Sequence, residues 1–140
     1  MKALVVNNPA VHSIDELSIT EVPKPIPEAN EVLIRVHAVG LNPVDYKVVE
    51  DGVDAWTYPH TLGLDVAGEI VAIGSAVTDF QVGDRVSGPG NLAKNGCFSE
   101  FAAVPSYQLA KIPTNVSDEV AASLLCAGLT AYKLLSVNQI

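Results

Sequence analysis

Alternation of apolar and polar positions dominates the first two thirds of the chain. In residues 31–40, EVLIRVHAVG, Val32, Ile34, Val36 and Ala38 share one face and Leu33, Arg35 and His37 the other. That period of two predicts a half-buried strand. Shorter runs at 1–6 and 17–22 predict two more, closed by Asn7-Asn8-Pro9 and by Pro23. Pro23, Pro25 and Pro27 carry no backbone donor, so their segment reads as an extended surface connection. Residues 65–73 are apolar and β-branched and predict a long strand. Residues 80–88 (with Gly83-Asp84 as a turn signal inside), 97–104 and 107–112 predict the remaining strands. Residues 51–61, with Trp56, Tyr58, Pro59 and His60, read as a loop, as does the stretch between Gly88-Pro89-Gly90 and Asn95-Gly96.

Two segments depart from this period. Asn42 suits a helix cap and Pro43 a first helical position, which predicts a short helix ending near Asp51-Gly52. From Ser117, with Asp118 and Glu119 in the first turn, Val120, Leu124, Ala127, Ala131 and Leu135 recur at helical spacing. This predicts one helix of about five turns. Leu125, Leu129 and Leu134 make it apolar beyond that stripe. It either folds back on the strands alone or, the favoured expectation, also packs on a second domain or subunit. Many short strands with turn signals between them predict a barrel or sandwich.

Composition narrows the functional classes. The 140 residues are 49% hydrophobic and 17% charged, with mean hydropathy +0.29, enough for one domain with a real core. No apolar run approaches the roughly eighteen residues of a membrane span, and MKALVV reads as a strand rather than a signal peptide. Sixteen acids face eight bases, a net charge of −8, with two arginines and no basic cluster. Neither nucleic acid nor a membrane is therefore an expected partner. Cys97 and Cys126 are too few for a disulfide scaffold and read as free thiols in a reducing compartment, the cytoplasm, Cys97 on a strand and Cys126 in a helix core.

Four segments in register carry a resemblance: GLNPVDYK (40–47), GLDVAGEIVAIG (63–74), FQVGDRV (80–86) and AASLLCAGLTAY (121–132). Together they resemble the N-terminal part of the medium-chain dehydrogenase/reductases, specifically the zinc-free quinone oxidoreductase (zeta-crystallin-like) branch. The resemblance covers essentially the whole chain. It implies a mainly β fold, a GroES-like, partly open β-barrel with short helices. That catalytic domain would span residues 1–116, and residues 117–140 would form a connecting helix. It also implies a Rossmann domain beyond Ile140 that binds NADP(H) or NAD(H), an active site between the two domains, and a homo-oligomeric full-length protein. No G-x-G-x-x-G loop is present. Gly63, Gly68 and Gly74 lie within a strand pattern, open no helix, and read as turns and close backbone contacts. The pyrophosphate grip is thus expected in the other domain, and these residues alone are expected to be inactive.

The zinc-dependent cousins carry a cysteine after the third strand and a Gly-His-Glu motif. Here Asn42 and Gly63-Leu64-Asp65 occupy those places. A catalytic zinc needs about three protein ligands; Leu64 has no donor and Asp65 alone does not suffice. His60 is out of register and reads as a loop or cleft-wall residue. The family's structural zinc uses four close cysteines, of which only Cys97 has a counterpart here. No zinc is expected. Without a Lewis acid, alcohol oxidation is hard, which favours hydride delivery from a reduced nicotinamide to a quinone or an α,β-unsaturated carbonyl.

The resemblance places Asn42 near the nicotinamide, compatible with a second role as helix cap. Tyr46 either offers its phenol to a substrate carbonyl or simply packs, and Asp45 orients its neighbours. Lys47 reads as a surface cation. Trp56 and Tyr58 either stack on a flat substrate or cover the barrel end, and Asp65 faces the same cleft. Gly128 and Thr130 would meet the cofactor, the glycine by close approach and the threonine by its hydroxyl. The other reading of Gly128 is close helix packing. Two rival functions remain: a zinc-type alcohol dehydrogenase domain, and a non-enzymatic GroES-like interaction module.

Overall fold

The computed structural model describes the backbone of residues 1–137. The expectation that Ile140 precedes a further strand, and the last residues of the 117–140 segment, lie outside the described residues. Eight strands form two antiparallel sheets. β1 (Lys2–Val6) lies between β2 (Ser18–Glu21) and β4 (His60–Thr61). The larger sheet has the order β7-β3-β5-β6-β8, with β3 Glu31–Gly40, β5 Asp65–Ile73, β6 Arg85–Pro89, β7 Phe101–Pro105 and β8 Ala110–Lys111. β7 and β8 remain its edges, so the barrel is not closed.

The inward positions of β3 and β5 meet as the alternation requires. Val32, Ile34, Val66 and Ile70 are buried with Val86, Ala102 and Val104 from the flanking strands. A second cluster joins Val6, Val11, Val49, Trp56 and Leu62 under α1 (Pro43–Asp51). Ala67, Ile112, Ala121 and Ala122 seat α2 (Asp118–Ser123) against the large sheet. Arg85 clamps that helix: its guanidinium donates to Asp118 Oδ1 at 2.7 and 3.1 Å and to the Val116 carbonyl at 2.9 Å. His37 Nδ1 lies 2.9 Å from Asp118 Oδ2. Burial alone would raise the Asp118 carboxyl, but bonds from His37 and Arg85 outweigh it and hold the group below the ordinary carboxylate value.

Several elements differ from what alternation predicts. Within 80–88 only the second half is a strand, because the chain turns at Gly83, whose φ is +94°. The 97–104 strand starts at Phe101, leaving Cys97 buried in a bend rather than on a strand. Residues 106–108 form a 3-10 turn before β8. The loop at 51–61 ends in β4, two residues that become a strand only through pairing with Val5 and Val6. The single long helix is two: α2 ends at Ser123, with Leu124 as its C-cap, and α3 (Leu125–Val137) follows. Its outer positions Leu129, Tyr132, Leu134 and Leu135 are exposed, Leu135 at 71%, so beyond the first turn of α3 the sheets leave these side chains uncovered. No helix among the described residues is long and apolar enough to cross a membrane.

Candidate active site

The start of α1 is built as a cap whose parts are divided. Asn42 has extended backbone (φ −129°, ψ 154°), and its carbonyl accepts from Asp45 N–H at 3.0 Å. The Asp45 carboxylate accepts from Asn42 N–H at 2.8 Å. The Asn42 side chain also reaches beyond its own helix. Its Nδ2 donates to Asp65 Oδ2 at 3.0 Å, across from α1 to the first residue of β5. The same oxygen accepts from Cys126 N–H at 2.9 Å, in the first turn of α3. In an unbroken helix that N–H would bond to the carbonyl of Ala122; its capture by Asp65 accounts for the break at Leu124. Gly40 is needed here: a Cβ would stand 2.7 Å from the Ala122 carbonyl oxygen and 3.0 Å from Asp65 Cβ.

Both carboxylates are interior, Asp45 at 8% exposure and Asp65 at 1%, and Oδ1 of each has no hydrogen-bond partner among the described residues. Burial lifts the Asp45 carboxyl above its usual value, backbone amides opposing and the Asp65 charge assisting. Cys97 is buried nearby, its thiol pushed up to about 12 by burial and then by the charges of Asp65 and Asp45. Tyr46 is exposed beside Asp45, as is Lys47.

Trp56 and Tyr58 belong to another cluster. Trp56 is 7% exposed, donates its indole N–H to the Leu92 carbonyl at 2.7 Å and stacks on His60 with centroids 4.0 Å apart, so that face is closed to a substrate. Tyr58, half-buried, meets Trp56 edge-on. His60 lies on β4 and not in a loop; burial pulls its imidazole down to about 4. Gly128 and Thr130 are exposed on α3. A Cβ at Gly128 would meet nothing within 4 Å, so close packing inside this chain does not explain that glycine. Cys126 is half-buried at the helix start rather than in a helix core. A cavity of about 550 Å³, bordered by Lys24, Glu28, His60, Lys94 and Phe101, includes none of Asn42, Asp45 and Asp65.

The structure thus gathers Asn42, Asp45, Asp65 and the Cys126 amide. Sequence reasoning missed Gly40 and Cys126 here; the break in an otherwise continuous helical pattern left no local signal.

The fold is an open antiparallel barrel whose first helix starts at an asparagine bonded to two buried carboxylates. Residues 28–114 match the family model described as the alcohol dehydrogenase GroES-like domain. The chain belongs to that family, within the medium-chain dehydrogenase/reductases. It is 42% identical over 111 residues to a zinc-type alcohol dehydrogenase-like protein of Staphylococcus epidermidis, covering 79% of this chain and 32% of that protein. The quinone oxidoreductase of Pseudomonas syringae superposes with a TM-score of 0.90 at 32% identity, over 99% of this chain and 42% of that one. The quinone oxidoreductase of Escherichia coli, solved with NADPH, gives 0.85 at 26% identity, over 96% and 40%. The chain therefore spans between 32% and 42% of the length of these relatives.

A zinc ion and a nicotinamide make different demands on these residues. For zinc, Asn42 and Asp65 offer one amide and one carboxylate group, already bonded to each other through Nδ2 and Oδ2, and Leu64 offers no donor. No group of three or more His, Cys, Asp or Glu side chains is arranged to hold a metal among the described residues. For a nicotinamide, the open surface at Gly128 admits close approach of a ring.

Proposed function

We propose that this chain is the substrate side of a zinc-independent, NADP(H)- or NAD(H)-dependent oxidoreductase that reduces a quinone or an α,β-unsaturated carbonyl. The observation that carries this reading is the occupation of the zinc-ligand positions by an asparagine–carboxylate pair with no third donor. The named relatives, one of them solved with NADPH, support the cofactor class.

The reduced nicotinamide supplies a hydride when bound. Asn42 orients at the cleft, held by Asp45 through its backbone and by Asp65 through its side chain. Tyr46, exposed next to them, donates its phenolic proton in a hydrogen bond to the acceptor's carbonyl oxygen, where negative charge develops. The one proton that completes the hydroquinone after hydride transfer comes from water. Gly128 gives room at the cofactor's ring and Thr130 its hydroxyl. Tyr58 offers a half-buried aromatic wall, which Trp56 supports from behind. The exposed apolar side of α3 seats the nucleotide-binding domain.

The test is NADPH oxidation by the full-length protein with 1,4-naphthoquinone, before and after exhaustive treatment with a zinc chelator, together with metal analysis. Unchanged turnover and substoichiometric zinc are expected. One zinc per chain and loss of turnover on chelation would establish the zinc-type alcohol dehydrogenase reading instead.

A further inference from the structure

We propose that Asp65 is a positioning residue: it fixes which end of the Asn42 amide faces the cleft and ties that amide to the start of α3. This rests on the reading of Asn42 as part of the hydride-transfer site.

The polarity follows from two bonds on one atom. Asp65 Oδ2 accepts the backbone N–H of Cys126 at 2.9 Å. As a carboxylate Asp65 has no proton to donate, and Oδ2, which already accepts from a backbone N–H, is an acceptor towards Asn42 as well. The Asn42 atom 3.0 Å from the same oxygen is therefore the NH₂ end. A flipped amide would set a carbonyl oxygen against a carboxylate oxygen in a place where Asp65 is 1% exposed and water cannot intervene. The carbonyl Oδ1 of Asn42 is the end turned away from Asp65. It accepts from a donor such as a carboxamide NH₂ or a substrate hydroxyl, and it does not polarise a carbonyl. Proton donation to the acceptor then falls to another group, for which Tyr46 is placed.

The same oxygen links two elements. Asn42 opens α1 and Cys126 lies in the first turn of α3, 84 residues apart in sequence (126 − 42). Gly128 and Thr130 follow on α3. Asp65 thereby sets the substrate-side asparagine and the cofactor-side helix in one frame. Its own 1% exposure means that it acts from behind Asn42 and not on the cleft surface.

One detail makes the proposal separable from a role for charge. Both donors use Oδ2, while Oδ1 has no partner among the described residues. An asparagine at 65 can therefore accept both bonds through its single carbonyl oxygen, its NH₂ standing where Oδ1 was.

The test uses full-length protein with NADPH and 1,4-naphthoquinone, the variants D65A, D65N and N42A, and residue-resolved amide exchange at Cys126. D65A is expected to lose at least tenfold in kcat with a smaller change in KM, and to speed exchange at Cys126 at least tenfold. D65N is expected to recover most of both, with a kcat loss under about threefold. If D65N falls with D65A, Asp65 acts through its charge and the proposal is overturned. Wild-type kcat and wild-type exchange in D65A overturn it equally. N42A at wild-type kcat overturns the reading of the site itself. N42A impaired beside an unimpaired D65A overturns only the role of Asp65.

Discussion

Residue by residue, the chemistry of this chain is set by which polar groups are buried and what they face. His60 is the clearest case. It lies 3% exposed on the face of Trp56, and its ring is held neutral down to about pH 4, whereas in the unfolded chain it takes a proton near 6.5. Between those values the unfolded state binds the proton that the folded state refuses, so stability falls as pH drops through that window and is undiminished above it. The shift is worth about 3 kcal/mol at its limit. Urea unfolding at pH 7 and pH 4.5 should show this loss, and His60→Phe, which keeps the stacking, should remove most of it. A slope unchanged in the variant would assign the acid sensitivity to other groups. Asn42 was legible in the sequence as a helix cap, since Pro43 and Asp45 follow it. That its side chain also reaches Asp65 was not, because the partner is 23 residues away and nothing local marks it.

Among the elements, legibility follows how much of the signal is local. β3 and β5 keep the boundaries 31–40 and 65–73 that alternation gives, because each has a full inner face to bury. β4 has two residues and exists only by pairing with β1, which no pattern within 51–61 could announce. α2 and α3 read as one helix because their apolar spacing is continuous; a carboxylate from β5 divides them. The seat of α2 depends on Asp118. Asp118→Ala should cost about 1–2 kcal/mol at neutral pH, since it removes three charge-assisted hydrogen bonds in a half-buried place. The depressed Asp118 carboxyl contributes fully above its ordinary value of 3.8 and loses that contribution as pH falls through its lower folded value. The difference between wild type and variant should therefore shrink in acid below 3.8, as read by thermal unfolding. A constant difference across pH would show that helix propensity, not the Arg85 and His37 bonds, is what the substitution changes.

At the scale of the whole molecule, two sheets and a short helix form a closed interior, while α3 leaves it with Leu129, Tyr132, Leu134 and Leu135 in the open. The same helix carries Gly128 with free space above it. Acidic composition and the absence of a basic cluster agree with a small-molecule site rather than a polyanion surface. The account requires a cofactor gripped elsewhere and presented to Asn42, because no phosphate loop occurs in these 140 residues. Fluorescence titration of NADPH against these 140 residues, and in parallel against the full-length protein, tests that requirement directly. Saturable binding by the full-length protein, with none by the 140 residues up to millimolar cofactor, is the expected result. Tight, saturable binding by the 140 residues alone would contradict it.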